Sequence, residues 1–230
     1  MIRAVVFDLD NTLVDFMRVK RAAVAGAVDA MIDAGLPAVR DEAIKRVFDM
    51  YDREGIEDQK VFDKMLKNEY GDINYRILAA GVNGYRKAKE GHLILYPHVR
   101  PTIVTLIRMG LKLALVSDAP RMPAWMRLNS LGLDPFFDIV VTNEDTGKKK
   151  PDPAPFLLAL SKLGVKPEEA IMVGDWAERD IVGAHAIGMK TAFARYGDDF
   201  NTQNHNADFE LKSPADLVDI VRRLNSVAAA

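Results

Sequence analysis

Two aspartates stand one residue apart directly after the first apolar run of the chain. Residues 4–7 read AVVF, and Asp8 and Asp10 follow in the stretch AVVFDLDNT. Side chains alternate along an extended chain, so these two carboxylates lie on the same side of it. Such a pair lets one carboxylate act as a nucleophile while the other handles a proton. The stretch therefore predicts a reacting centre at the end of a buried strand.

Polar side chains also follow three later apolar runs. They are Ser117 and Asp118 after residues 111–116, Asp175 and Asp180 after residues 170–173, and Lys150 in the loop GKKKPDP after residues 136–141. In an open parallel sheet, ligands bind beyond the carboxyl ends of the strands. We therefore expect the acids, the hydroxyl and the lysine to meet at one edge of the sheet.

A cluster of carboxylates without histidine or cysteine predicts a site for a hard cation. Close carboxylates repel one another, and some stay protonated unless a cation lies between them. Oxygen ligands suit Mg²⁺, which binds one or two carboxylates together with a substrate phosphate. Lys150 fits the same interpretation as a compact cation for a phosphate oxygen. We expect Mg²⁺ as the cofactor.

The pattern of apolar runs predicts an α/β fold. Runs without polar interruption alternate with segments whose apolar residues recur every three or four positions, which is typical of a parallel sheet covered by helices on both faces. We expect a Rossmann-like, doubly wound parallel sheet. The expected strands are residues 4–7, 111–116, 136–141, 170–173 and 190–194, with a weaker one at 207–211.

Residues 16–95 have a different pattern. They contain four stretches of helical periodicity separated by glycine and proline, and no convincing strand. We therefore predict an all-helical domain of four helices at 16–95, inserted into an α/β core formed by residues 1–15 and 96–230.

Composition excludes several classes of protein. The 230 residues carry a net charge of −2, which provides no basic surface for nucleic acid and no polybasic membrane tail. No apolar run approaches the roughly 18 residues of a transmembrane helix. The chain has no cysteine, so a thiolate metal site is impossible. With a first strand directly at the N terminus and no pattern of a signal peptide, we expect a cytoplasmic protein. The final SVAAA enters none of these predictions.

The ordered motifs resemble a known family. They are DLDNT (8–12), VSD (116–118), KPDP (150–153) and GDWAERD (174–180). In order and spacing they are similar to the four motifs of the haloacid dehalogenase superfamily, and the helical insert resembles its C1 cap. The resemblance covers essentially the whole chain. It implies a Mg²⁺-dependent phosphatase acting on a small phosphomonoester, such as a sugar phosphate or a similar metabolite.

The resemblance implies a role for each motif residue. Asp8 would attack phosphorus and form an aspartyl-phosphate, and Asp10 would protonate the leaving alcohol and then activate water. An acid at this position points to phosphomonoester hydrolysis or to a phosphomutase. The expected phosphate-binding residues are Thr12, Ser117, Asp118 and Lys150, with Lys150 chosen among three lysines because it directly precedes PDP. The expected metal ligands are Asp8, Asp10 through its carbonyl, and Asp175, with Asp180 either a further ligand or a residue that supports one.

Alternative functions share parts of this pattern. A sugar phosphomutase of the same superfamily would use every core residue. A phosphoryl-accepting signalling module also has an acidic pair and a lysine at strand ends, but it is much shorter than this chain. A relative that only binds ligands would not require the intact acids. The expected partner is a small-molecule phosphomonoester, with the protein a monomer or a homodimer.

Overall fold

A computed structural model describes residues 1–227, so the last three residues of the SVAAA segment lie outside the described residues. The chain forms two compact units. One contains Met1–Asp15 and the chain from Ile94 onward, and the other is Phe16–Leu93. The second junction therefore falls two residues before the position expected from the sequence pattern.

A six-stranded parallel sheet forms the centre of the first unit. Its strands are β1 (Ala4–Phe7), β2 (Lys112–Val116), β3 (Ile139–Val141), β4 (Ala170–Gly174), β5 (Lys190–Ala194) and β6 (Phe209–Leu211). The strand order is β3-β2-β1-β4-β5-β6, and every neighbouring pair is parallel. The order runs outward in both directions from β1, so the predicted doubly wound sheet is confirmed.

Ten α-helices occur in the described residues. They are α1 (Phe16–Asp33), α2 (Arg40–Glu54), α3 (Val61–Tyr70), α4 (Tyr75–His92), α5 (Val99–Arg108), α6 (Arg121–Ser130), α7 (Asn143–Thr146), α8 (Pro153–Leu163), α9 (Val182–Ala186) and α10 (Asp216–Val227). None of the helices in this part of the chain has the length and apolar character needed to cross a membrane. Asp152 caps α8 by accepting a hydrogen bond from the Ala154 N–H at 2.9 Å.

Both faces of the central strands are buried. All four residues of β1 are buried, and Phe156 and Leu160 of α8 pack with Val6 and Val116 on one face. This burial explains why β1 and β4 contain no polar side chain among their apolar residues. The rigid sheet fixes where the strand ends lie.

The third strand is shorter than the apolar run that predicts it. The run covers 136–141, but only Ile139–Val141 pairs with β2. The Asp138 carboxylate accepts the Leu113 N–H at 2.8 Å, and the Asp138 N–H donates to the Leu113 carbonyl at 2.9 Å. A side-chain hydrogen bond therefore takes the place of a backbone hydrogen bond between the strands at this point. Phe136 belongs to a short 3₁₀ turn.

The second unit consists of α1–α4 around its own apolar cluster, which includes Val24, Val28, Met31, Val47, Phe62 and Met65. Helices α1 and α4 approach closely at glycines. A Cβ atom on Gly84 would overlap the Gly26 carbonyl oxygen, and one on Gly81 would overlap the Met31 side chain. Asn74 begins α4 by accepting hydrogen bonds from the N–H groups of Arg76 and Ile77. The four predicted helices are thus present.

Candidate active site

The candidate site lies at the carboxyl ends of β1, β2 and β4. These strands are neighbours, and Phe7 is in register with Leu115 on one side and Val173 on the other. The residues that follow them are therefore brought to one edge of the sheet. The Asp8 N–H continues the ladder by donating to the Val173 carbonyl at 2.9 Å. Asp8 is thus fixed by backbone hydrogen bonding as well as by strand geometry.

The turn after Asp8 is held by close backbone contacts. Asn11 has φ 59°, a left-handed conformation that asparagine tolerates better than most residues. Its N–H donates to the Val14 carbonyl at 2.7 Å. Tyr196 donates from its hydroxyl to the Thr12 carbonyl at 2.9 Å, and a Cβ on Gly197 would overlap the Asn11 carbonyl. The loop after β5 therefore supports the turn that carries the first motif.

Three of the predicted acids form one buried cluster. Asp8, Asp175 and Asp180 each place a carboxylate oxygen within 4.8 Å of the other two. Their relative exposures are 7%, 3% and 1%. Such a set of oxygen atoms suits a hard divalent cation.

Lys150 is the buried cation of this cluster. Its ammonium group donates to Asp8 Oδ1 and, at 2.6 Å, to Asp180 Oδ1. Burial by itself would lower the pKa of Lys150, but the charges of Asp180 and Asp8 raise it above its ordinary value. Lys148 and Lys149 are exposed, whereas Lys150 is 4% exposed. Of the three consecutive lysines, Lys150 alone lies in the acidic cluster.

Burial strongly disfavours the charged forms of two of the acids. It raises the pKa of Asp8 to about 8, against the opposing effect of Lys150, with the charges of Asp180 and Asp10 adding to the increase. Burial, followed by the charge of Asp8, raises the pKa of Asp175 well above its ordinary value. One lysine therefore does not neutralise the cluster, and an additional cation would stabilise it.

Asp180 lies in one turn of π-helix, Ala177–Ile181. This turn folds the Asp180 carboxylate back, so that Oδ2 accepts the Trp176 N–H at 3.1 Å. A Cβ on Gly174 would overlap the Asp180 side chain. The glycine at the end of β4 is therefore required by this close approach. Turns of this kind are frequent at functional sites.

The remaining predicted phosphate ligands have other partners in the structure. The Thr12 hydroxyl donates to Asp175 Oδ1 at 3.0 Å, and Ser117 Oγ accepts the Ala119 N–H at 3.1 Å. Asp118 accepts the Lys150 N–H at 2.9 Å and a guanidinium N–H of Arg179 at 3.3 Å. Thr12 and Asp118 therefore support a neighbouring acid and the Lys150 loop. Phosphate binding by these residues remains a prediction.

Asp10 lies apart from the three-acid cluster and has a partner that the sequence analysis missed. Arg127 of α6 donates from Nη1 to Asp10 Oδ2 at 2.8 Å. Arg127 occupies an apolar position of its helix, between the buried residues Ala124 and Leu128. A charged residue at an apolar position was the signal that could have indicated its role.

A second group of residues, to which the sequence analysis assigned no role, lines a cleft of about 560 Å³. Its lining residues are Pro151, Trp176, Glu178, Arg179 and Phe200. The Arg179 guanidinium stacks on the Trp176 ring at 3.6 Å, and the Trp176 and Phe200 ring centroids are 4.6 Å apart. Pro151 and Trp176 directly follow Lys150 and Asp175. The cleft therefore begins next to the acidic cluster.

Comparison with known proteins identifies the family. Residues 5–194 match the family described as haloacid dehalogenase-like hydrolase. The chain is 37% identical to a glyceraldehyde 3-phosphate phosphatase of Methanopyrus kandleri, over 97% of this chain and 99% of the relative. It is 33% identical to the pyrophosphatase PpaX of Bacillus pumilus, over 96% of each.

A solved structure of a haloacid dehalogenase phosphatase from Thermococcus onnurineus has a TM-score of 0.71 and 27% identity, over 96% of this chain and 98% of that one. The family resemblance and the predicted enzyme class are thereby confirmed. The chain belongs to the haloacid dehalogenase-like hydrolases and is a phosphatase of that family.

Proposed function

We propose that the protein hydrolyses glyceraldehyde 3-phosphate, or a closely similar three-carbon phosphomonoester, through a phosphoryl group carried on Asp8. The observation that carries the mechanism is the position of Asp8, buried at a strand end and contacting both Lys150 and the acidic cluster. The substrate is taken from the relative that matches almost the whole chain at 37% identity.

In the first step, an Asp8 carboxylate oxygen forms a bond to phosphorus as the bond to the leaving oxygen breaks. The Asp10 carboxyl group gives its proton to that oxygen, which leaves as an alcohol. In the second step, Asp10 takes a proton from water, the hydroxide attacks phosphorus, and the Asp8–phosphorus bond breaks. Phosphate is released and both acids return to their starting states.

Lys150 and Ser117 have supporting roles in this proposal. The Lys150 ammonium lies against Asp8 and would neutralise an oxygen of the transferring phosphoryl group. Ser117 is buried at the end of β2 and would donate a hydrogen bond to another phosphate oxygen. Ser117 directly follows β2, and the Lys150 side chain is held by its contacts with Asp8 and Asp180, so little reorganisation is needed when charge develops.

The donor set fits Mg²⁺. Asp8, Asp175 and Asp180 would hold it with their carboxylates, and the Asp10 carbonyl is a further proposed ligand. When bound, Mg²⁺ would supply positive charge that shields Asp8 from the anionic substrate and stabilises a phosphate oxygen. The raised pKa values of Asp8 and Asp175 support this proposal, because they reflect a cluster with too little positive charge.

The test is phosphate release from glyceraldehyde 3-phosphate, pyrophosphate and p-nitrophenyl phosphate, each with Mg²⁺ and with EDTA. We expect metal-dependent release and the highest kcat/KM for glyceraldehyde 3-phosphate. Asp8→Asn should abolish release from all three compounds. Asp219→Asn is the matched control, because the Asp219 side chain is 83% exposed on α10.

Different results would contradict different parts of the proposal. A higher kcat/KM for pyrophosphate would contradict the substrate but not the mechanism. Equal activity in EDTA would contradict the metal site. Undiminished release by a folded Asp8→Asn protein would contradict Asp8 as the nucleophile.

A further inference from the structure

Arg127 is a buried charge in the helix that follows β2. The residue is 2% exposed, and its neighbours Ala124 and Leu128 on the same side of α6 are fully buried. Burying a guanidinium group is unfavourable unless a carboxylate compensates it. The position would otherwise suit an apolar side chain. Arg127 therefore requires an explanation that the packing of α6 does not provide.

Arg127 contacts one of the two reacting acids. Arg127 Nη1 contacts Asp10 Oδ2 at 2.8 Å, and the two side chains are 3% and 23% exposed. They lie 117 positions apart in the chain. Asp10 lies in the turn after β1, which backbone hydrogen bonds hold, and Arg127 lies within α6, so the pair has a defined geometry. A guanidinium N–H is directional, so it orients the carboxyl group to which it donates.

The direction in which Asp10 points matters for both steps of the reaction. Proton transfer requires the acid within hydrogen-bond reach of the leaving oxygen first, and of the attacking water afterwards. A side chain that rotates freely about its Cα–Cβ bond would meet that requirement only part of the time. With Oδ2 held by Arg127, the plane of the carboxyl group is set.

We propose that Arg127 is a positioning residue, which holds Asp10 by Oδ2 so that Oδ1 carries the transferred proton in both steps. This inference rests on the proposed function, in which Asp10 gives a proton to the leaving oxygen and later takes one from water. Arg127 itself exchanges no proton and forms no bond to the substrate.

The two steps depend on the leaving group in different ways, which provides the test. An alkoxide needs a proton as it leaves, whereas p-nitrophenolate leaves without one. Loss of Asp10 orientation therefore slows the first step for glyceraldehyde 3-phosphate but has little effect on it for p-nitrophenyl phosphate. The second step uses water with either substrate, so it is slowed for both.

The experiment compares the full-length protein with Arg127→Met and Arg127→Lys in Mg²⁺, by steady-state and rapid-mixing kinetics. For Arg127→Met we expect kcat on glyceraldehyde 3-phosphate to fall about 100-fold, with KM within about threefold of its original value. With p-nitrophenyl phosphate we expect a rapid burst of p-nitrophenol followed by slow turnover, because the phosphorylated enzyme accumulates. Arg127→Lys retains the charge and should recover about tenfold of the lost kcat.

The two substrates are compared within one variant. A partly unfolded preparation would lower the activity on both substrates equally and would not produce the expected burst of p-nitrophenol. If Arg127→Met fails to fold, Arg127→Lys must show the same fall in kcat and the same burst with p-nitrophenyl phosphate on a smaller scale. Equal losses for the two substrates without a burst, or an unchanged kcat, would overturn the inference while leaving the proposed function intact. A wild-type protein that releases no phosphate would refute both.

Discussion

Replacing Lys150 by methionine tests the electrostatics of the acidic cluster. The substitution keeps a long, unbranched side chain and removes only the ammonium group. That group contacts Asp8 and lies 2.6 Å from Asp180, and its side chain is 2% exposed. We expect a loss of both stability and activity, because the remaining carboxylates have no protein cation in contact.

The size of the effect follows from the burial of the pair. Removing one partner of a buried ion pair costs about 3–5 kcal/mol of the free energy of unfolding. For a chain of this size that corresponds to a fall in Tm of about 6–20 °C. The loss should be largest near pH 8 and smaller near pH 5, because a protonated Asp8 no longer needs the cation. Mg²⁺ should restore part of the loss, since it binds the folded state.

The assay is thermal unfolding at several pH values of proteins prepared without metal, measured before and after Mg²⁺ is added. Lys149→Met is the matched control, because Lys149 precedes Lys150 and is exposed. It should change Tm by no more than about 2 °C. The reasoning is refuted if the two variants have equal Tm values, or if the loss in Lys150→Met does not depend on pH.

Three further predictions concern the glycines and the pH dependence of metal binding. Gly174→Ala should lower Mg²⁺ affinity and kcat at least about tenfold, because the Cβ of the new alanine would displace Asp180. Titration with Mg²⁺ measures the affinity, and an unchanged value would argue against Asp180 as a ligand. Gly84→Ala should lower the free energy of unfolding by about 1–3 kcal/mol, because the new methyl group overlaps α1. Gly91→Ala on the same helix is the control, because its methyl group meets open space. Equal denaturation midpoints for the two variants would contradict the close packing of α1 and α4. In the metal-free protein the pKa of Asp8 is raised from 3.8 to about 8, so its contribution to stability is full below about pH 4 and is lost as the pH rises through 8. Mg²⁺ must displace that proton as well as the one on Asp175, and its affinity should therefore increase by at least about tenfold per pH unit up to pH 8. Calorimetry in two buffers measures the protons released, and no release would contradict this prediction.

The positions of the acids could be predicted because they depend on local patterns. An apolar run followed by Asp8 indicates a strand end, and parallel strands bring their carboxyl ends to one edge. Lys150 was distinguished from its two neighbours by the resemblance of KPDP (150–153) to a family motif. The prediction for the acids needs only the periodicity of the sequence and the rule that ligands bind at the carboxyl ends of parallel strands.

The orientation of individual side chains could not be predicted in this way. Thr12 donates to Asp175 and Asp118 contacts Arg179, and both arrangements depend on backbone turns that sequence patterns do not specify. Arg127 was missed because its partner is distant in the chain and α6 has no other unusual feature. Long-range pairs of this kind become visible only when the folded structure is known.

The central claim is that Asp8 carries the phosphoryl group, and trapping that group tests it most directly. The Asp10→Asn protein, which should complete the first step with p-nitrophenyl phosphate but not the second, would be mixed with this substrate and Mg²⁺, quenched in acid and digested. Mass spectrometry should find one phosphoryl group on the peptide that contains Asp8, and none in the double variant in which Asp8 is also replaced by asparagine. A phosphoryl group on another residue, or p-nitrophenol release without any phosphorylated peptide, would contradict the account.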